Sequence, residues 1–397
     1  MIGFATSFHR FSIFATPIHK TMKYYLIAGE RSGDLHGSNL IKGIKKQDPE
    51  AEFRAWGGEM MQEAGAEIVT HYSKMAFMGF WEVFKNIFTV RKFIQLCKKD
   101  IINYKPDVVI LIDYAGFNLR IAKFAKQHQF KTFYYISPKV WAWNQDRAIK
   151  IKQNIDKMFV IFPFETDFYK KYDFEVDYVG NPLLDAIQDF KPNANFKQEN
   201  NLSKPIIALL PGSRKQEVEK MLSLMCVIKP QFSSYQFVIA GVSNLPKTLY
   251  EPFLVQADVS VIYDSAYDLL SVAEAALVTS GTATLETALF NVPQVVCYKS
   301  GTISYEIAKR VIRVPYISLV NLILQKEAVK ELIQNELTAE NLTVELRKIT
   351  TTQRIQQLED YKNLHVLTGE AGASERAGQL MISYLRSEGS GITPVSA

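Results

Sequence analysis

The chain has 397 residues, 47% of them hydrophobic and 22% charged, which is enough apolar content to fill two or three domain cores. A formal net charge of +5 is too weak to imply nucleic acid, though it favours anionic ligands or a membrane face. The three cysteines form no CxxC and the six histidines no metal-ligand pair at helical spacing, which argues against a disulfide scaffold or a zinc site and fits reduced thiols in the cytosol.

Residues 1–21, MIGFATSFHRFSIFATPIHKT, lack acidic residues and loosely resemble a targeting peptide, but His9 and Arg10 interrupt the apolar run. Met22 stands directly before the strand-like KYYLIA, so residues 1–21 are read as a non-native or disordered extension. Strands are expected at Lys23–Ala28, Val108–Asp113, Thr132–Ile136 and Met158–Ile161, several apolar throughout, with amphipathic runs such as Asn118–His128 between them. That alternation predicts a doubly wound parallel sheet. The segment Met75–Leu96 is rich in Phe and Met but is broken by Glu82, Lys85, Asn86, Arg91 and Lys92, so it cannot span a membrane.

The polar stretch KPNANFKQENNLSK, residues 191–204, reads as a linker between a first lobe at 22–190 and a second at 205–350. Strands resume at Pro205–Leu210, Gln236–Ala240, Val259–Tyr263, Ala275–Thr279 and Gln294–Cys297, and from about Gln325 the pattern is helical. Helices at 351–386 are expected to pack back on the first lobe, with a disordered tail at 387–397. Two such lobes face each other across a cleft, and ligands of open α/β sheets bind at the carboxyl ends of strands.

The strand ends carry the chemistry. GERSGDLHG at Gly29–Gly37 lacks the GxGxxG spacing of a dinucleotide site and is either a tight turn with a capped helix or a place for the Glu30 and Asp34 carboxylates. LIDYAGFN puts Asp113 at a strand end, as a turn residue or as a base facing the cleft, with Asn118 a natural N-cap. In YYISPKVWAWNQDR, Trp141 and Trp143 precede Arg147, which is either packing or a surface for a sugar phosphate.

LPGSRKQEV forms a glycine turn into a helix start whose free amides suit phosphate oxygens. Ser213 and Gln216 have capping-box spacing, which leaves Arg214 unexplained except as an anion ligand. In TSGTATLE, Ser280, Gly281, Thr282 and Thr284 supply more donors than a cap needs, and Glu286 lies one turn further in, suited to a ribose diol. Two phosphate sites in one lobe suggest a nucleotide diphosphate. The sequence has neither a Walker A motif nor Asp-x-Asp, so helix termini and Arg214 are expected to supply the counter-charge without a metal.

Met75–Leu96 holds two Met, five Phe and a Trp, a pattern of either a core helix or an acyl-chain surface at a bilayer boundary.

Taken together, GERSGD, FMGFWEV, LIDYAGFN, ISPKVWAW with Arg147, FPFE, YVGNPL, LPGSRKQEV, TSGTATLE, PYISLVN and GEAGASERA resemble the lipid-A-disaccharide synthases, from Met22 to about Leu385. The resemblance implies a GT-B glycosyltransferase, with two Rossmann-like lobes, that joins UDP-2,3-diacylglucosamine to 2,3-diacylglucosamine 1-phosphate (lipid X) in lipid A synthesis. It implies no cofactor and no metal, and a place on the inner face of the inner membrane of a Gram-negative bacterium. The oligomeric state stays open, a homodimer included.

Two departures stand out. Ala115-Gly116 replaces the Pro-Asp of many relatives, and Asn181 replaces a His. On this reading Asp113 is the general base, with Glu30 next in line and Asp34 orienting the acceptor. Ser213, Arg214, the Ser280–Thr284 turn and Asn321 hold the diphosphate, and Glu286 binds ribose. Trp141, Trp143 and Arg147 meet the acceptor, while Phe77, Phe80, Trp81, Phe84 and Phe88 meet membrane and acyl chains. The rival readings are a UDP-N-acetylglucosamine 2-epimerase on a related scaffold and a non-catalytic binding module.

Overall fold

In the computed structural model, residues 21–74, 87–256, 259–301, 305–306, 310 and 314–390 are described. The first sheet contains β1 (Lys23–Ala28), β2 (Glu52–Gly57), β3 (Ala66–His71), β4 (Val108–Ile112), β5 (Lys131–Tyr135), β6 (Lys157–Val160) and β7 (Asp177–Tyr178). The second contains β8 (Ile206–Leu210), β9 (Gln236–Gly241), β10 (Ser260–Tyr263), β11 (Ala273–Thr279), β12 (Gln294–Tyr298) and β13 (Lys330–Ile333). β4 and β8 are buried along their whole length, which is why their sequences are continuously apolar rather than alternating.

All pairings are parallel, in the orders β3-β2-β1-β4-β5-β6-β7 and β10-β9-β8-β11-β12-β13. These are two doubly wound α/β lobes. Each sheet reverses its winding once, between β1 and β4 and between β8 and β11. A crevice opens at such a switch point because the helices on either side leave in opposite directions.

β13 corrects the expectation of an all-helical chain after Gln325: KELI is short and half polar at its ends, and its strand identity comes from pairing with β12. β2, β3 and β7 were not expected from the sequence either. The stretch read as a linker includes a short helix, Phe196–Glu199, anchored by buried Phe196.

The Arg354–Thr368 helix belongs largely with the second lobe, where Gln357 exchanges hydrogen bonds with the Gln294 backbone at 2.6 and 3.2 Å. The Ala373–Ser390 helix crosses to the first lobe and packs on Arg31–Gln47. The crossing is close because both helices offer glycine. A Cβ on Gly43 would stand 2.8 Å from the Ser374 carbonyl, and one on Gly378 3.0 Å from the Ile44 amide. The helix runs to Ser390, into the stretch expected as a tail. Among the described residues, no helix is long and apolar enough to cross a membrane.

Candidate functional site

At the first switch point, Gly29 follows β1, and a Cβ there would stand 2.3 Å from ring carbons of Tyr114. β4 is followed by two consecutive left-handed residues, Asp113 (φ 43°) and Tyr114 (φ 48°). Such a pair is strained and persists only where neighbours fix it. Here the Asp113 amide donates to Tyr135 O at 3.2 Å, and its carbonyl accepts from the Asn118 amide at 2.8 Å and from the Tyr134 hydroxyl.

Burial pushes the Asp113 carboxyl above its usual range; the Lys139 ammonium opposes that and Glu30 adds to it. Asp113 and Glu30 line one cavity of about 350 Å³ with Val90, Phe117 and Arg120.

One expectation here is corrected, and a second residue proves to have a structural role. Asn118 does not cap its helix, which begins at Ala115; its side chain lies within the helix and its amide bonds back to the Ile112 and Asp113 carbonyls at 3.1 and 2.8 Å. Asp34 is fully buried and accepts from the Gly58, Met60 and Met61 amides at 2.6, 3.1 and 3.2 Å. It anchors the start of the Glu59–Glu63 helix.

At the second switch point, Gly212 takes φ 105°, and a Cβ there would stand 2.6 Å from Glu217 Oε2. The Lys215–Cys226 helix is entered through Arg214 rather than Ser213, because Glu217 accepts from the Arg214 amide at 3.4 Å and from its guanidinium at 3.1 Å. Arg214 therefore has a local partner that spacing did not reveal. Its side chain is 77% exposed, and an exposed pair of this kind yields readily to a stronger anion. Ser213 is exposed beside it.

After β11, Gly281 precedes the Thr282–Leu289 helix and Thr282 is exposed. The Ser280 hydroxyl donates to Ile317 O at 2.9 Å, tying the turn to the loop before Leu319. Thr284 is fully buried and donates to Gly281 O at 2.8 Å, so its hydroxyl is spent locally. Asn321 is held within its own lobe. Fully buried, it donates to Val329 O and Glu331 at 2.8 and 2.9 Å and accepts from the Ala328 and Val329 amides at 2.8 and 2.9 Å. Every polar atom of its amide is bound within the lobe. Glu286 is half-buried, with its carboxyl raised by burial, and accepts from the Tyr267 hydroxyl at 2.9 Å. Tyr267, distant in sequence, gave no signal there.

Between the lobes lies a cavity of about 580 Å³, lined by Lys139 and Trp141 from the first and by Arg214, Ser280, Gly281 and Tyr316 from the second. Lys139, which the sequence reading passed over, lines this cleft and is felt by Asp113. Glu30 and Asp113 line their own cavity, and Lys139 is the residue of the inter-lobe cleft whose charge reaches Asp113. Trp141 is 5% exposed, donates to Glu165 at 3.1 Å and packs edge-on against Phe164, so most of its indole is core. Arg147 lines a different cavity. The side chain of Trp143 lies outside the described residues, as do Phe77, Phe80, Trp81 and Phe84; Phe88 is in the Ile87–Tyr104 helix, its side chain likewise outside them.

The family model described as lipid-A-disaccharide synthetase matches residues 24–383. The chain belongs to the lipid-A-disaccharide synthase family. It is 36% identical to the lipid-A-disaccharide synthase of Geobacter metallireducens over 91% of this chain and 96% of that one. To that of Coxiella burnetii it is 38% identical, over 84% and 90%. As a member of this family it is a glycosyltransferase of lipid A biosynthesis.

Among solved structures, a UDP-GlcNAc 2-epimerase from Neisseria meningitidis aligns with TM-score 0.65 at 13% identity, over 91% of this chain and all (100%) of that one. The calicheamicin glycosyltransferase CalG4 aligns with TM-score 0.59 at 14%, over 93% and 99%. At those identities the likeness is one of fold, so the epimerase neighbours do not favour an epimerase reading.

Proposed function

We propose that the chain transfers 2,3-diacylglucosamine from UDP to the 6-hydroxyl of 2,3-diacylglucosamine 1-phosphate with inversion, releasing UDP and the β-1,6-linked disaccharide 1-phosphate. The reading is supported by one observation: Arg214 and the Ser280–Gly281 turn line the inter-lobe cleft together with Lys139, whose charge acts on the Asp113 carboxyl.

The acceptor hydroxyl gives its proton to the Asp113 carboxylate as its oxygen attacks the anomeric carbon. The bond to UDP breaks on the opposite face. One base suffices, because a diphosphate leaves as an anion and needs counter-charge rather than a proton. Arg214 exchanges Glu217 for the diphosphate, and the amides at the start of the Thr282–Leu289 helix supply further donors. Glu286, oriented by Tyr267, accepts from the ribose diol. Glu30 remains the runner-up base.

Phe77, Phe80, Trp81, Phe84 and Phe88 would dock the protein on the inner face of the membrane, since lipid burial gains ~0.8 kcal/mol per methylene. Polar replacements there should lower binding to lipid vesicles.

The test is incubation with both lipid substrates, with UDP release and disaccharide measured together. Equal release of the two is expected. UDP-sugar isomerised in the absence of acceptor would overturn the reading.

A further inference from the structure

The geometry points to a phosphomonoester subsite between the Ala115–Gln127 and Arg147–Asn154 helices, formed by Arg120, Lys123, Arg147 and Lys150, that holds the 1-phosphate of the acceptor sugar. It rests on the acceptor-side reading of Asp113 and Arg147 and adds Arg120, Lys123 and a location that the sequence did not suggest.

Each helix contributes two cations three residues apart, hence on one face. The faces enclose a cavity of about 530 Å³ whose lining includes these four cations and no carboxylate. Among the described residues, neither Lys123 nor Lys150 has an ion-pair partner. Lys123 and Lys150, which face the same cavity without a counter-charge, repel unless an anion sits between them, and a phosphomonoester brings between one and two negative charges with three acceptor oxygens. Arginine supplies a planar fork for such a group and lysine a mobile point charge.

The position of the cavity selects the ligand. It shares Ala115, Gly116 and Arg120 with the cavity that holds Asp113 and Glu30. The wall between them is bare backbone at Gly116, where a Cβ would meet nothing within 4 Å. Arg120 is held at that rim by a hydrogen bond from its guanidinium to Gly116 O at 3.0 Å. The carboxylates therefore lie on one side of the wall, Lys123, Arg147 and Lys150 on the other, and Arg120 at the rim between them. A sugar phosphate can satisfy both in one orientation only, with a hydroxyl toward Asp113 and its phosphate toward Lys123 and Lys150. The reversed pose would set phosphate against two carboxylates. The subsite thus orients the acceptor as well as binding it.

The experiment is titration calorimetry of the full chain with glucosamine 1-phosphate and with glucosamine, at low salt. The phosphate ester should bind and glucosamine should not. The Lys123→Glu/Lys150→Glu double variant should weaken glucosamine 1-phosphate at least tenfold and leave UDP affinity unchanged, the latter reporting an intact fold. Lys123→Arg should retain binding.

Vesicles distinguish the other source of the same chemistry. Binding to phosphatidylglycerol vesicles over phosphatidylcholine should survive the double substitution. Loss of that binding with glucosamine 1-phosphate affinity intact would make these residues a headgroup contact and overturn the proposal, as would equal binding of glucosamine and its phosphate. Because the titration needs no turnover, it stands apart from the transfer reaction, whose failure would appear as absence of disaccharide from the parent chain.

Discussion

Tyr267 donates its hydroxyl to Glu286 at 2.9 Å, and burial of that carboxylate raises its pKa while the hydrogen bond lowers it. Tyr267→Phe removes the opposing influence, so Glu286 becomes harder to ionise. UDP affinity should fall by about tenfold, the worth of one hydrogen bond to a charged group, and the loss should grow as pH is lowered. Calorimetric titration of UDP across pH checks both parts; an unchanged affinity would remove Glu286 from the ribose site.

Asp113 acts as a base only when ionised, and burial raises its pKa while Lys139 lowers it. The acid limb of kcat/KM should therefore lie above the usual carboxylate range. Lys139→Met should move it higher still. Asp113→Asn should cost ~10²–10⁴-fold in kcat and leave UDP binding nearly intact. A pH–rate series on the three proteins decides.

Gly29 has no room for a Cβ because Tyr114 lies against it. Gly29→Ala should displace the ring and with it the left-handed Asp113–Tyr114 pair. The expected loss is ~1–3 kcal/mol of stability, together with a fall in kcat. Denaturant midpoints and kcat, measured side by side, should change together.

Glu165 is buried and its carboxyl is raised from 4.5 to about 7, burial outweighing the donors Phe162 N, Ile161 N and Trp141 Nε1. Between those pH values the folded chain binds more protons than the unfolded one, so this group makes stability fall as pH rises through that window. The contribution is at most about 3 kcal/mol. Glu165→Gln should flatten that part of the stability–pH curve, and a slope that persists unchanged would exclude the assignment.

Asn321 is bound on all sides by its own lobe, through Val329, Ala328 and Glu331. Asn321→Ala should cost ~1–3 kcal/mol or more by stranding buried partners. UDP affinity of the folded protein should stay as it was. A selective loss of UDP binding at full stability would restore Asn321 to the diphosphate site.

Much was legible in the chain before any coordinates. Continuous apolar runs such as VVILI and IIALL announced buried parallel strands, because a strand covered on both faces has no polar side to show. The turns that follow them placed Asp113, Arg214 and Ser280 at strand ends, since glycine and small polar residues mark where backbone leaves a sheet. The ordered motifs fixed the family, which the relatives bear out.

What the chain could not disclose was partnership across long separations. Whether Asn321, Thr284 and Asp34 face ligand or core depends on backbone groups that pairing and packing bring to them, and all three face inward. Lys139 gained its place from the approach of two lobes, and the four-cation cavity from two helices laid side by side. Local sequence sets which groups a turn or helix face carries. Which of those groups meet is settled by the folding of distant segments against one another, where a hydrogen bond made inside the protein leaves none for a substrate.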